Sequence, residues 1–279
     1  MPYTAQISRV NPACVLILVD QSRSMAEPFG NSPGQTKDQV VSDAVNRLIQ
    51  NVVLRSAKAD GVRDYFHIGV IGYGAKLDAA FGGAVPDDVL RPISQIAAHP
   101  LRLEEREKLM PDGAGGVIEA KVKFPVWYPP KANGATPMTA AVEAAGQVVG
   151  RFVAEHPDSF PPIVLNLTDG MPTDGNPQLA ARALRNTATA DGNALMFNLL
   201  LATNPGPPTY FLADEGLLTD TFSKLLFRMS SKLPPKILDA ARAEGFAVTP
   251  DARGVVFNAD PTAVVRFLDI GTRVGTPTK

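Results

Sequence analysis

Short apolar runs alternate along this chain with longer stretches whose apolar residues recur at helical spacing. Residues 15–19 are unbroken apolar, the pattern of a central parallel strand covered on both faces. The run ends at Asp20 and opens into the polar loop Gln21-Ser22-Arg23-Ser24. Beyond a Gly/Pro-rich stretch at 30–34, Val40, Val41, Ala44, Val45, Leu48, Ile49, Val52 and Val53 form one stripe, which predicts a helix over 37–57. Residues 66–73 read as a second strand with Gly72 and Gly74 at its exit.

Regularity lapses at 75–135, where the pattern predicts a short helix at 103–109, a strand at 117–124 and a Pro-rich passage at 124–130. The charged run 104–108 reads as a solvated face. Alternation resumes with helices at 138–154, 177–190, 218–231, 235–244 and 261–271 and strands at 163–167, 194–200 and 255–258. Strand and helix in this order predict an α/β fold: a doubly wound, mostly parallel, Rossmann-like sheet flanked by helices. The expected organisation is one domain over 1–279, with 75–135 an elaborated sheet edge. Ligands of such sheets bind beyond the carboxyl ends of the strands, which directs attention to the loops after residues 19 and 167 and before the helix at 138.

Composition narrows the function. Lys plus Arg number 27 against 28 Asp plus Glu, a net charge of −1 that offers no footprint for nucleic acid. One cysteine, Cys14, excludes an internal disulfide framework and a multi-thiolate zinc site; within its apolar run it reads as a buried structural thiol. No stretch approaches the ~20 apolar residues of a membrane span, and the N-terminal residues lack a signal-peptide pattern, so a cytoplasmic protein is expected. The 25 prolines and 23 glycines imply many loops, where sites tend to reside.

Three motifs fall at the loops singled out: Asp20-Gln21-Ser22-Arg23-Ser24, Gly134-Ala135-Thr136-Pro137 and Leu167-Thr168-Asp169-Gly170. Their candidate ligands Asp20, Ser22, Ser24, Thr136 and Asp169 offer two carboxylates and three hydroxyls, with no nitrogen or sulfur donor, and suit a hard divalent cation. The i, i+2, i+4 spacing of Asp20, Ser22 and Ser24 fits a turning loop whose alternate side chains converge.

These residues resemble the metal-ion-dependent adhesion site of the von Willebrand factor A (VWA) domain, which combines Asp-x-Ser-x-Ser, a Thr from a later loop and an Asp after the fourth strand. The resemblance spans about residues 13–270. It implies Ser22, Ser24 and Thr136 as direct or near-direct ligands of Mg²⁺ or Mn²⁺, with Asp20 and Asp169 bound directly or through water. It further implies a prokaryotic intracellular, non-enzymatic module whose metal accepts an Asp or Glu from a protein partner. That partner could be an AAA+ ATPase, kinase or phosphatase of a stress-response or signalling system. Where many relatives place Gly between the serines, this chain has Arg23, either pointing to solvent or standing at the metal mouth and attracting an acidic ligand.

Other residues carry competing readings. Asp169 could serve as a turn residue, Thr136 as a helix cap, and Asp174 reads as a turn or cap residue rather than a ligand. His67, inside an apolar strand, is expected to be buried and hydrogen-bonded. Trp127 and Tyr128 form either an exposed recognition loop or a plug on the sheet edge. No histidine has a nucleophile partner, and no phosphate-binding glycine loop follows the first strand. The alternative function is Mg²⁺-dependent phosphoryl transfer or hydrolysis. Against it, the first loop has no acid two residues after Asp20, and no lysine partner is evident at the later strand ends.

Overall fold

The computed structural model describes residues 2–29, 34–111, 117–202 and 206–272. In chain order its main elements are β1 (Ala13–Asp20), α1 (Lys37–Ser56), β2 (Phe66–Tyr73), β3 (Leu77–Ala79), β4 (Arg91–Pro92) and α2 (Ile93–Ala98). There follow β5 (Arg102–Pro111), β6 (Val117–Val126), α3 (Met138–Glu155), β7 (Ile163–Thr168), α4 (Gln178–Asn186) and β8 (Leu195–Leu201). The last are β9 (Thr209–Tyr210), α5 (Thr221–Met229), α6 (Pro235–Ala243), β10 (Val255–Ala259) and α7 (Pro261–Gly271).

The central sheet runs β9-β10-β8-β7-β1-β2-β3, with β4 also paired to β2. Its five inner strands, β10, β8, β7, β1 and β2, are mutually parallel, and the short edge strands are antiparallel. This is the doubly wound arrangement expected from the sequence. Successive β1 residues point to opposite faces, and every one of them is buried. Val15, Ile17 and Val19 join the core under α1, α6 and α7, whereas Leu16 and Leu18 join the core under α3, α4 and α5. An unbroken apolar run is what two covered faces demand.

Strand order reverses between β1 and β7: the chain leaves β1 for β2 on one side and returns on the other. The carboxyl ends of those two neighbours deliver Asp20 and Asp169 to the same crevice.

The connection 75–135 holds more structure than expected, including β3, β4 and α2, and one expected element is of another type. Residues 103–109 are not helical; they belong to β5, which pairs with β6 in a separate antiparallel ribbon. The run 104–108 is also more than a solvated face. The Arg106 guanidinium lies 3.8 Å from the Phe124 ring centre and bridges Asp43 on α1 and Glu104, each at 2.8 Å. The helix expected over 177–190 stops at Asn186, because 188–193 turn back as a small hairpin at Ala190-Asp191.

Trp127 and Tyr128 are a plug, not an exposed loop. Both are buried, and Asn46 of α1 clamps them: its side-chain oxygen accepts the Trp127 and Tyr128 N–H groups at 2.8 and 3.0 Å, and its amide donates to the Tyr128 carbonyl at 2.8 Å. The Trp127 indole donates to the Ile96 carbonyl at 2.6 Å. His67 is half-buried, and its ring makes no hydrogen bond among the described residues, contrary to the expectation of a hydrogen-bonded histidine. It packs edge-on against Phe152 and His156, and burial followed by the His156 charge lowers its pKa. Cys14 is buried, and burial pushes its thiol pKa up, consistent with a structural role.

Candidate metal centre

Three loops converge at the carboxyl ends of β1 and β7. The first leaves β1 at Asp20 and turns through a short 3₁₀ segment, Arg23–Ala26. Asp20 is fully buried and holds this turn: one carboxylate oxygen accepts the Ser22 N–H at 2.8 Å and the other accepts the Thr168 hydroxyl at 2.7 Å. The Ser22 and Ser24 hydroxyls lie 3.1 Å apart, and Ser24 donates to Asp169 Oδ1 at 2.8 Å. Ser22, Ser24 and Asp169 are thus linked in a chain of oxygens, with Asp20 holding the turn beside them.

The Thr136 loop is stitched to the first loop through backbone. Asn133 N–H donates to the Gln21 carbonyl at 2.6 Å, and Arg23 N–H donates to the Gly134 carbonyl at 3.1 Å. Gly134 has φ +98°, and a Cβ there would lie 2.3 Å from the Ala75 nitrogen. Only glycine allows this close approach without strain. Gly134→Ala is therefore expected to cost on the order of 2 kcal/mol in stability and to weaken Mn²⁺ binding although it alters no candidate ligand. Thermal melts and Mn²⁺ titration of this variant check both effects.

Thr136 is 6% exposed, and its hydroxyl, which is open to solvent, makes no hydrogen bond to the described residues. It does not cap α3. Asp174 does so from the β7–α4 loop, accepting the Thr139 and Ala140 N–H groups at 3.0 and 2.9 Å. The Thr136 main chain is pinned to the same loop by Thr173, at 3.1 and 2.9 Å. Asp174 thus caps α3, the turn-or-cap role expected of it. Arg23 is exposed, with its backbone used in the loop contact.

Burial pushes the Asp20 carboxyl up to about 6, although the Thr168 and Ser22 hydrogen bonds favour its ionised form; the Asp169 charge adds to the rise. Ionised Asp20 is thus costly in the absence of a cation, as expected of a carboxylate placed to receive one.

One participant was not anticipated. Lys37, the first residue of α1, is 2% exposed and donates to Asp169 Oδ2 and to Glu27, both at 2.9 Å. Burial would lower its pKa, but the hydrogen bonds and charges of Asp169 and Glu27 outweigh burial and raise it. A sequence signal was available. Lysine at the first position of a helix opposes the macrodipole, so its presence there calls for a local anion.

The donor set fits a hard divalent ion in type: oxygen only, from carboxylates and hydroxyls. Among the described residues no three His, Cys, Asp or Glu side chains gather as metal ligands. Hydroxyls would therefore have to supply much of the coordination.

No protein-family description and no curated protein matches the chain. Solved structures do. A pilus adhesin, SpaC from Lactobacillus rhamnosus GG, superposes with TM-score 0.53 at 13% identity, over 97% of this chain and 32% of that one. The von Willebrand factor type A structure from Catenulispora acidiphila gives TM-score 0.48 at 15% identity, over 95% of this chain and 43% of its own. The PilB minor pilin from Streptococcus sanguinis gives 0.47 at 9% identity, over 98% and 63%. The chain shares its fold with the SpaC structure, and its doubly wound sheet agrees with the VWA resemblance read from the sequence. This chain spans less than two thirds of each of these proteins, and the likeness concerns architecture alone. Among the described residues no helix is long and apolar enough to cross a membrane.

Proposed function

We propose that this VWA-type chain is a metal-dependent protein-binding module. Asp20, Ser22, Ser24, Thr136 and Asp169 would hold Mg²⁺ or Mn²⁺. The observation that carries the reading is the junction of two separate loops at Ser24 and Asp169, 2.8 Å apart, with the buried Asp20 beside them. When bound, the ion would supply a Lewis-acidic position able to accept an Asp or Glu carboxylate from a partner. The chain's own residues shape the rest. The backbone ties at Gly134 and Asn133 hold the loops in place, and Met171, 61% exposed just after Asp169, offers an apolar contact at the rim.

The proposed setting is the bacterial cytoplasm, in a stress-response or signalling system with an AAA+ ATPase, kinase or phosphatase as partner. The lone buried cysteine supports a setting without disulfide chemistry. The surface-adhesin role suggested by the names of the pilus proteins is the competing setting.

A Mg²⁺-dependent phosphoryl-transfer enzyme is the second reading, and Lys37 gives it a lysine that the sequence had not revealed at this place. The engagement of both Asp20 oxygens and the burial of that residue speak against its service as a nucleophile. Affinity capture from a bacterial lysate separates the readings. Partners recovered with Mg²⁺ should be lost with EDTA and with Asp20→Ala. Recovery indifferent to both would refute the metal-dependent module, and Asp20-dependent phosphate release from generic phosphoesters would favour the enzyme.

A further inference from the structure

We infer that Lys37 is a built-in counter-cation of the metal site, which weakens its hold on a free divalent ion and makes metal and an acidic ligand bind together. The inference rests on the metal-binding reading above and assigns a role that reading leaves open.

Charge is the first consideration. Asp20 and Asp169 contribute two negative charges, and a divalent ion alone would neutralise them. Lys37 adds a positive charge at hydrogen-bond distance from Asp169 Oδ2, leaving Oδ1, the oxygen bonded to Ser24, as the one free of the ammonium. Glu27 also contacts Lys37, but it is 64% exposed and its charge is screened by water. The loaded site would therefore carry surplus positive charge, which a partner carboxylate relieves. A ligand that relieves this repulsion strengthens metal binding, and by linkage the metal strengthens ligand binding equally.

Position is the second. A lysine needed only to tether a loop could work from the surface, where its ammonium stays hydrated. Lys37 instead buries its head group at the positive end of a helix, against the dipole, and its ammonium also lies 3.5 Å from the Ser24 carbonyl. Its contacts span two of the three loops, because Ser24 and Glu27 lie on the first and Asp169 on the third.

Calorimetric titration of Mn²⁺ into wild type, Lys37→Met and Lys37→Arg tests this, with and without the capped peptide acetyl-Gly-Asp-Gly-amide as the carboxylate probe. Lys37→Met keeps the length of the side chain and removes its charge. It is expected to bind Mn²⁺ at least ten-fold more tightly than wild type, whereas Lys37→Arg stays near wild type. The peptide should strengthen Mn²⁺ binding at least three-fold in wild type and less in Lys37→Met. Equal or weaker Mn²⁺ affinity in Lys37→Met, or a wild-type affinity indifferent to the peptide, would overturn the inference and leave the metal reading standing. The peptide arm on wild type needs no variant, so a folding defect in Lys37→Met does not remove the test. Absence of Mn²⁺ binding in all three proteins would overturn the metal reading, and the inference with it.

Discussion

Asp20→Asn is expected to stabilise the metal-free protein at neutral pH while reducing Mn²⁺ affinity by at least a hundred-fold. The two effects have one cause. Burial holds the Asp20 carboxyl near 6 in the folded chain, against an ordinary value of 3.8. Between those values the folded state keeps a proton that the unfolded chain has released, so the contribution of Asp20 to stability is greatest below pH 3.8. It is lost as pH rises through about 6 and stays lost at pH 7.5, a cost of about 3 kcal/mol for the ionised group. An amide removes that cost. Its oxygen can still accept the Ser22 N–H, and the Thr168 hydroxyl retains the Gly170 carbonyl, 3.0 Å away, as an acceptor. The variant should melt several degrees above wild type at pH 7.5 in EDTA and close to it at pH 4. Added Mn²⁺ should raise the melting temperature of wild type only. A melting temperature for Asp20→Asn below that of wild type at pH 7.5 in EDTA would contradict this account of Asp20.

Asp169→Ala should act in the opposite direction on stability. It strands the Lys37 ammonium, 2% exposed, with Glu27 at the solvent edge as its remaining carboxylate. Removing one partner of a buried pair leaves an uncompensated charge, and the expected loss is about 3 kcal/mol. In a domain of this size that lowers the melting temperature by on the order of 10 °C. The Ser24 hydroxyl also loses its acceptor, so metal binding should disappear. The double variant Asp169→Ala/Lys37→Met should recover much of the stability and none of the metal affinity, since the two residues are directly coupled. A loss below about 1 kcal/mol for Asp169→Ala would show that the Lys37 pair contributes little to the fold.

The parallel core was legible because physics writes it locally. Strands covered on both faces must be apolar throughout, and β1 and β7 announce themselves in that way. The convergence of Asp20, Ser22, Ser24 and Asp169 was legible because they follow the ends of two strands that lie side by side in the sheet. The ribbon at β5 was misread because its charged residues fall on both faces. Glu104 and Arg106 lie on one face and Glu105 and Glu107 on the other, so no apolar alternation marks the strand. Its stabilising contacts, Arg106 on Phe124 and Asp43, join residues far apart in sequence. The partner of Lys37 was hidden for the same reason, since Asp169 lies 132 residues away. Asn46, a polar residue within the apolar stripe of α1, was the visible trace of the clamp on Trp127 and Tyr128.

The central claim is that Asp20, Ser22, Ser24, Thr136 and Asp169 form a site for a divalent cation. Isothermal titration of Mn²⁺ and Mg²⁺ into wild type and Asp20→Asn at pH 7.5 tests it most directly. Saturable binding of one ion to wild type at or below millimolar metal, absent in the folded Asp20→Asn variant, is the predicted result. No heat of binding to wild type at millimolar metal, or equal binding to both proteins, would contradict it.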